Sequence, residues 1–199
     1  MSMVVEHEKR RREILEKALD VFINEGFEDV TFQKIADRCG ITRTTLYIYF
    51  RNKKEIFNYS IKQLLAGVEN DLTRVYKDKS LNWVEKLTKV ISLILDRLEE
   101  NRRFLAVVLN YLLYIAKSDS DPDTRVRKRT IRMRHILATM VIEGIHAGEF
   151  AQVNVKTADD LLYSLMEAAI FRLVVLKRSD VKDLKQAVEL AVRQFAAKP

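Results

Sequence analysis

Cysteine, proline and glycine are scarce in this sequence. Its single cysteine, Cys39, excludes a disulfide framework within the chain and favours a reducing compartment such as the cytoplasm. Only two prolines and five glycines occur among the 199 residues, and Pro122 is the one interior proline. Since these residue types most often interrupt helices, we expect long helices with few breaks.

Apolar runs long enough to cross a membrane are also missing. The longest candidate, residues 161–176, is interrupted by Ser164, Glu167 and Arg172, so no membrane partner is expected. The opening residues MSMVVEHEKRRR lack the apolar core of a secretory signal.

Signatures of enzyme chemistry are absent too. The sequence has no Gly-rich phosphate loop, no cysteine pair for zinc and no nucleophile elbow. Its histidines, His7, His135 and His146, have no second cluster of ligands near them. We therefore expect no catalytic residues, no metal and no cofactor, and an enzyme is the weaker functional class.

The composition that remains is apolar and basic. Hydrophobic residues make up 48% of the chain and charged residues 32%, which is typical of a soluble globular protein. The formal net charge of +7 favours a polyanionic partner without specifying which one.

The stretch Thr31–Phe50, TFQKIADRCGITRTTLYIYF, predicts a helix-turn-helix. Thr31 can cap a short helix, Gly40 can take the left-handed conformation that ends it, and Thr42 can cap a second helix. Two short helices joined by a tight turn that contains glycine define this motif. The apolar positions that such a unit buries hold Ile35, Ala36, Cys39, Ile41, Leu46 and Tyr49.

The same residues carry a family resemblance. The run GITRTTLYIYF, followed by Lys53 and then Glu55-Ile56-Phe57, resembles the recognition-helix signature of the tetracycline-repressor-like (TetR) family of bacterial regulators. The similarity is dense from about Arg12 to Phe57 and is one of architecture beyond. Cys39 stands where alanine is usual, and Thr44 where glycine or proline is frequent, which leaves the operator sequence open. The resemblance implies an all-α fold, with an N-terminal three-helix helix-turn-helix domain and a larger helical domain for ligand binding and dimerisation.

We place the DNA-binding domain at residues 1–52 and the ligand-binding and dimerisation domain at residues 53–199. Lys53, in the first turn of a helix capped by Asn52, is expected to meet a phosphate. The basic run 9–12 is either a phosphate-contacting arm or a solvated terminus. Polar side chains on the second motif helix suit base edges and phosphates in a major groove. The expected DNA-binding residues are Thr31, Lys34, Thr42, Arg43, Thr44, Thr45, Tyr47 and Lys53.

The second domain is expected to hold a pocket for a small, largely apolar effector. Asn82 with Glu85 predicts the start of a fifth helix, and Asp121-Pro122 predicts that of a seventh. The basic cluster Arg125–Arg134 is either a site for an anionic ligand group or a solvated face. Aromatic and methionine side chains exceed what a minimal bundle needs. The expected pocket residues are Trp83, Phe104, Tyr111, Tyr114, Met133, Met140 and Met166.

The last two helices, beginning at Thr157 and Asp180, predict a dimer. The eighth is apolar almost all round, so we expect a second subunit to cover one side of it. The alternative is that both helices serve only their own core. Strand character is confined to residues 153–155. The expected interface residues are Leu165, Ala169, Leu173, Val188 and Phe195.

These features together predict a cytoplasmic homodimeric transcription regulator. Its partners would be a palindromic double-stranded operator, a small-molecule effector and a second copy of the chain, and a repressor is the favoured role. The alternatives are a constitutive DNA-binding regulator or an activator without ligand, and a helical enzyme with a basic domain. The sequence leaves the effector, the operator and the regulated genes open.

Overall fold

The structure is a computed structural model that describes residues 2–117 and 124–197. Within these ranges the chain forms nine α-helices and one short π-helical segment, which confirms the expected all-α fold. Of the described helices, none is both long enough and apolar enough to cross a membrane. The elements are α1 (Ser2–Asp29), α2 (Phe32–Cys39), α3 (Arg43–Tyr49), α4 (Lys53–Lys77), α5 (Trp83–Glu100), α6 (Arg102–Lys117), α7 (Thr124–His146), α8 (Val155–Ile170), the π-helical segment Phe171–Val175 and α9 (Lys182–Phe195).

Local capping signals act where the sequence predicts them. The Thr31 hydroxyl accepts the backbone N–H of Lys34 at the start of α2, and Gly40 ends that helix with φ of 69°. Asn82 and Glu85 form a reciprocal capping box at the start of α5. Each of these signals involves residues no more than a few positions apart, so the sequence alone is enough to specify them.

The expected strand character at residues 153–155 is wrong. The Asn154 side chain accepts the backbone N–H of Thr157 at 3.0 Å, and Val155 is already the first residue of α8. The helix cap formed by Asn154 therefore outweighs the β-propensity of Val153 and Val155. The predicted helix start at Asp121-Pro122 lies outside the described residues.

The contacts divide the chain into two compact units, and the division differs from the expected boundary at residue 52. The first unit contains residues 1–67 and 106–114, and the second contains residues 68–105 and 115–199. Helix α4 therefore contributes to both units, and the middle of α6 belongs to the unit that holds the helix-turn-helix.

The first unit is built around apolar side chains from α1 to α4. Ile14, Phe22, Ile35, Leu46 and Phe57 are all fully buried. Helix α1 contains a break at Gly26, with φ of 80° and ψ of 168°, a conformation that glycine adopts at little cost.

The second unit has a single large apolar core drawn from α4, α5, α7, α8 and α9. Gly144 on α7 is required there, because a Cβ atom on it would lie 2.1 Å from the ring of Phe150. The Glu149 carboxylate accepts the Trp83 backbone N–H at 2.5 Å and so ties the loop after α7 to the start of α5. Backbone bonds from Ala151 to Phe195 and from Ala197 to Glu149 hold the end of α9 against the same loop.

Candidate functional site

The turn between α2 and α3 exposes one face of α3. The Thr42 hydroxyl accepts the Thr45 backbone N–H at 3.1 Å and lies 2.8 Å from the Thr45 hydroxyl. The Ile41 backbone N–H donates to the Ala36 carbonyl at 3.1 Å, which closes the turn at Gly40. Leu46 is buried beneath α3, so the opposite face of this helix points to solvent.

Contacts within the chain hold side chains on that outer face of α3 in place. Arg43 and Thr44 are exposed, and the Tyr47 side chain is 50% exposed. The Arg43 guanidinium donates to the Tyr47 hydroxyl at 3.2 Å, and the Tyr47 ring packs 4.6 Å from the ring of Phe32. Ile48, which sequence reasoning left out, is 67% exposed on the same short helix. An isoleucine this exposed is suited to contact a thymine methyl group.

An open groove of about 860 Å³ runs between α2 and the start of α3. It is lined by Gln33, Asp37, Gly40, Ile41, Thr42, Arg43 and Thr45. Three of the expected DNA-binding residues, Thr42, Arg43 and Thr45, therefore meet in one place. The α2 side chains Gln33 and Asp37 were not expected there. Their spacing of four residues on one helix face is the signal that could have found them.

Lys53 and Lys34, two of the expected DNA-binding residues, bind groups within their own unit. The Lys53 ammonium donates to the backbone carbonyls of Phe27, Glu28 and Val30 at 2.7–2.9 Å and lies 4.9 Å from the Phe27 ring centre. Three carbonyls match the three N–H donors of a charged lysine, which leaves no donor for a phosphate. Burial lowers the pKa of Lys53 from its ordinary value, and the nearby carboxylates of Asp29 and Glu28 partly offset this effect.

Lys34 is engaged in the same region. Its ammonium lies 2.5 Å from the Glu25 carboxylate and also donates to the Asp29 carbonyl at 3.2 Å. Both lysines thus bind the C-terminal turn of α1, where carbonyl groups without helical partners attract positive charge. The role expected for Lys53, a phosphate contact, conflicts with this geometry, because its donors are already used within the unit.

The basic run near the start of α1 is partly structural. The Arg11 guanidinium lies 4.1 Å from the ring centre of Tyr59 and 5.2 Å from that of Phe50. Arg10 pairs with Glu13 at 2.8 Å on the same helix. Arg11 therefore packs α1 against α4, and this role fits neither the phosphate-contacting arm nor the fully solvated terminus expected for residues 9–12.

The expected pocket residues are divided between the two units. Tyr111 and Tyr114 belong to the first unit, whereas Trp83, Phe104, Met133, Met140 and Met166 belong to the second. Tyr111 packs against the rings of Phe27 and Phe57, at centroid distances of 4.3 and 5.1 Å. Met140 and Met166 are fully buried in the core of the second unit.

The expected interface residues are mostly buried by their own chain. Ala169, Leu173, Val188 and Phe195 are part of the second unit's core, and Leu165 is half-buried against it. Ala169, Leu173, Val188 and Phe195 therefore expose little side-chain surface, whereas Leu165 keeps part of its surface exposed. The exposed apolar side chains of this region are instead Leu161, Phe171, Val175, Leu176 and Leu190.

Comparison with known proteins finds the same architecture elsewhere. The profile of bacterial regulatory proteins of the tetR family matches residues 14–59. A fatty acid metabolism regulator protein from Bacillus subtilis (strain 168) is 25% identical over 163 residues, which cover 79% of this chain and 80% of that protein. A solved TetR transcription regulator from Haloarcula marismortui has a TM-score of 0.82 at 20% identity, covering 96% of this chain and 100% of that one. The structure of FadR from Bacillus subtilis in complex with stearoyl-CoA has a TM-score of 0.72 at 20% identity, covering 94% and 97%.

Proposed function

Because the chain belongs to the TetR family of bacterial regulatory proteins, we propose that it is a transcriptional repressor released from DNA by a small-molecule effector. It binds a palindromic operator as a homodimer, with one recognition helix in each half-site. The observation that carries this proposal is the outer face of α3, where Arg43, Thr44 and Tyr47 point to solvent from a capped helix-turn-helix.

The contacts on DNA divide by chemistry. Arg43 and Thr44 read base edges, since an arginine can make two hydrogen bonds to guanine in the major groove. Thr42 and Tyr47 bind phosphates, which position the helix without reading sequence. Thr31 supports the turn before α2 through its capping bond, and Thr45 supports the next turn by bonding the Thr42 hydroxyl that caps α3.

Dimerisation uses the exposed apolar side chains of the last helices. Leu161 lies on α8, Phe171 and Val175 on the π-helical segment, and Leu190, which is 63% exposed, on α9. Burial of these side chains stabilises the dimer chiefly by removing apolar surface from water. Two copies joined through a two-fold axis would present two α3 helices to matched half-sites.

The effector is a fatty acyl compound, with long-chain acyl-CoA as the first class to test. The choice is supported by the similarity to a fatty acid metabolism regulator protein of Bacillus subtilis and to the structure of FadR from the same species, solved with stearoyl-CoA. The second unit has an extensive apolar core that includes Met140 and Met166, and methionine adapts its shape to an apolar ligand. Helix α7 adds the exposed Arg132 as a cation for an anionic group.

Release requires that the effector bind more tightly to the state that does not fit the operator. A difference of about 1–3 kcal/mol is the usual coupling between two sites. Helix α4 is the covalent route for this coupling, because it runs without a break from Lys53 to Lys77 and contributes to both units.

Footprinting on genomic fragments tests the proposal. We expect protection of one pseudo-palindrome, and loss of that protection when acyl-CoA of sufficient chain length is added. Free CoA, which lacks the apolar chain, is the matched control. Uniform affinity for all sequences at low salt would refute specific regulation, and protection that no acyl compound relieves would refute the proposed effector.

A further inference from the structure

The groove beside α3 contains a hydrogen-bonded polar pair from α2. Gln33 and Asp37 are four residues apart on α2, and both side chains are exposed in the groove that also contains Arg43. The Gln33 amide nitrogen donates to one Asp37 carboxylate oxygen at 2.7 Å. The pair therefore lies beside a residue that is proposed to read bases.

The chemistry of the pair sets the direction of the Gln33 amide. A carboxylate only accepts hydrogen bonds, so the amide nitrogen must face Asp37 and the amide oxygen must face away. The reversed amide would place its oxygen against a negatively charged oxygen. One N–H of the amide is used by Asp37, and the other N–H and the carbonyl oxygen stay available to a partner.

This pattern of one donor and one acceptor matches adenine. In the major groove adenine presents the N7 acceptor and the N6 amino donor, whereas guanine presents two acceptors, N7 and O6. A glutamine amide pairs with adenine through two hydrogen bonds. An amide that can turn over loses much of this discrimination, because it can offer its nitrogen alone to guanine.

We propose that Gln33, oriented by Asp37, is a second base-reading side chain that selects adenine at one position of each operator half-site. The proposal rests on the DNA-binding function above and adds the base that α2 reads. Gln33 makes the contact with the base, and Asp37 is a positioning residue that acts through it.

Asp37 should also have an electrostatic cost. Its carboxylate lies in the groove beside the proposed recognition helix, and a negative charge near bound DNA weakens binding to every sequence. Neutralising Asp37 should therefore strengthen nonspecific binding and weaken base selection. A residue with only a structural role would not separate these two effects.

The test is selection from duplexes with randomised half-sites, followed by binding isotherms on the selected sequence and its single-base variants. The proteins are the wild type, Gln33→Ala, Asp37→Asn and the control Asp20→Asn. Asp20 lies on α1 and pairs with Arg38 at 3.3 Å, so its replacement removes the same charge from outside the groove lining. Circular dichroism melts verify that all four proteins fold.

We expect Gln33→Ala to lose an adenine preference of roughly 5- to 150-fold at one position in each half-site, the range of a good two-bond base contact. Asp37→Asn should lower the adenine-over-guanine preference at that same position while its affinity for unrelated DNA rises. Asp20→Asn should keep the wild-type preference. These three results together would support the inference.

The failures are distinguishable. If the wild type selects no palindrome, the proposed function itself is wrong. If the wild type selects one and both Gln33→Ala and Asp37→Asn keep every base preference, the inference is overturned while the function stands. It is equally overturned if Asp37→Asn changes a preference that Gln33→Ala leaves intact, since Asp37 would then read the base itself.

Discussion

Lys53→Met would remove the ammonium that holds the end of α1 and leave a side chain of similar length. The wild-type ammonium donates to three carbonyls, those of Phe27, Glu28 and Val30, and lies over the Phe27 ring. Methionine keeps the apolar stem but has no donor. The change therefore isolates the hydrogen bonds from the packing.

The size of the effect follows from the bonds lost. A hydrogen bond to a charged group contributes about 1.5–3 kcal/mol, but three such bonds do not add in full. Water can replace the lost donor, because one of the three bonds is exposed and the other two are only part-buried. We expect the free energy of unfolding to fall by about 2–4 kcal/mol. For a chain of this length the thermal midpoint would then fall by roughly 4–16 °C.

Two measurements separate this role from a phosphate contact. Thermal or urea unfolding reports the loss of stability, with Lys54→Met as the control, since Lys54 is the exposed neighbouring lysine. Operator binding over a salt series reports phosphate contacts, and each contact adds about 0.9 to the magnitude of the slope. We expect Lys53→Met to be less stable and to keep the wild-type slope. Wild-type stability together with a slope lowered by about one ion would refute the reasoning and restore the phosphate contact expected from the sequence.

Three further substitutions have defined outcomes. Arg43→Ala should weaken operator binding by about 1–3 kcal/mol and relax base preference, and equal weakening on all sequences in binding isotherms would contradict the base-reading role. Leu190→Glu should give a folded monomer in sedimentation, whereas Val188→Glu should unfold the chain because Val188 is buried in its own core; a dimeric Leu190→Glu would move the interface elsewhere. The Arg97 hydrogen bond lowers the pKa of Asp71 below its usual 3.8. The ionised Asp71 therefore stabilises the folded state above pH 3.8, and this stabilisation is lost as pH falls through the lowered pKa. The Asp71→Asn variant should therefore be less stable at pH 7, and its urea midpoint should fall less steeply with decreasing pH than that of the wild type. An unchanged pH dependence would argue against a stabilising Asp71–Arg97 pair.

The helix-turn-helix could be predicted from sequence because its determinants are local. The caps at Thr31 and Thr42 and the left-handed Gly40 lie within twelve positions of one another. Each is a property of a residue type at a helix end, so neighbouring residues are enough to fix it. The outward direction of Arg43 follows in turn, since burying Leu46 sets the orientation of α3.

The residues of the last helices that stay exposed could not be predicted in the same way. A helix that is apolar almost all round must be covered on several sides, but the pattern does not say which cover comes from its own chain. In α8 the sides that include Ala169 pack on the chain's own core. The π-helical segment adds a second reason. Its wider turn changes the angular spacing of side chains, and the residues left exposed there are Phe171 and Val175.

The contacts of Lys53 could not be predicted from the sequence either, because its partners are backbone carbonyls. Its three acceptors are carbonyls more than twenty positions away, near the break in α1 at Gly26, and carbonyl groups carry no signature in a sequence. The ring of Phe27 also contacts Tyr111. The sequence predicts Tyr111 as a pocket residue only because aromatic side chains are frequent in small-molecule sites. A movement of α6 that displaced Tyr111 would act first on Phe27, whose carbonyl and ring both contact Lys53 at the start of α4. Helices α4 and α6 each contribute to both units, and Lys53 on α4 and Tyr111 on α6 both contact the Phe27 ring. We therefore expect operator release to depend on the contacts among Lys53, Phe27 and Tyr111 as well as on α4. The sequence indicates only the coupling through α4.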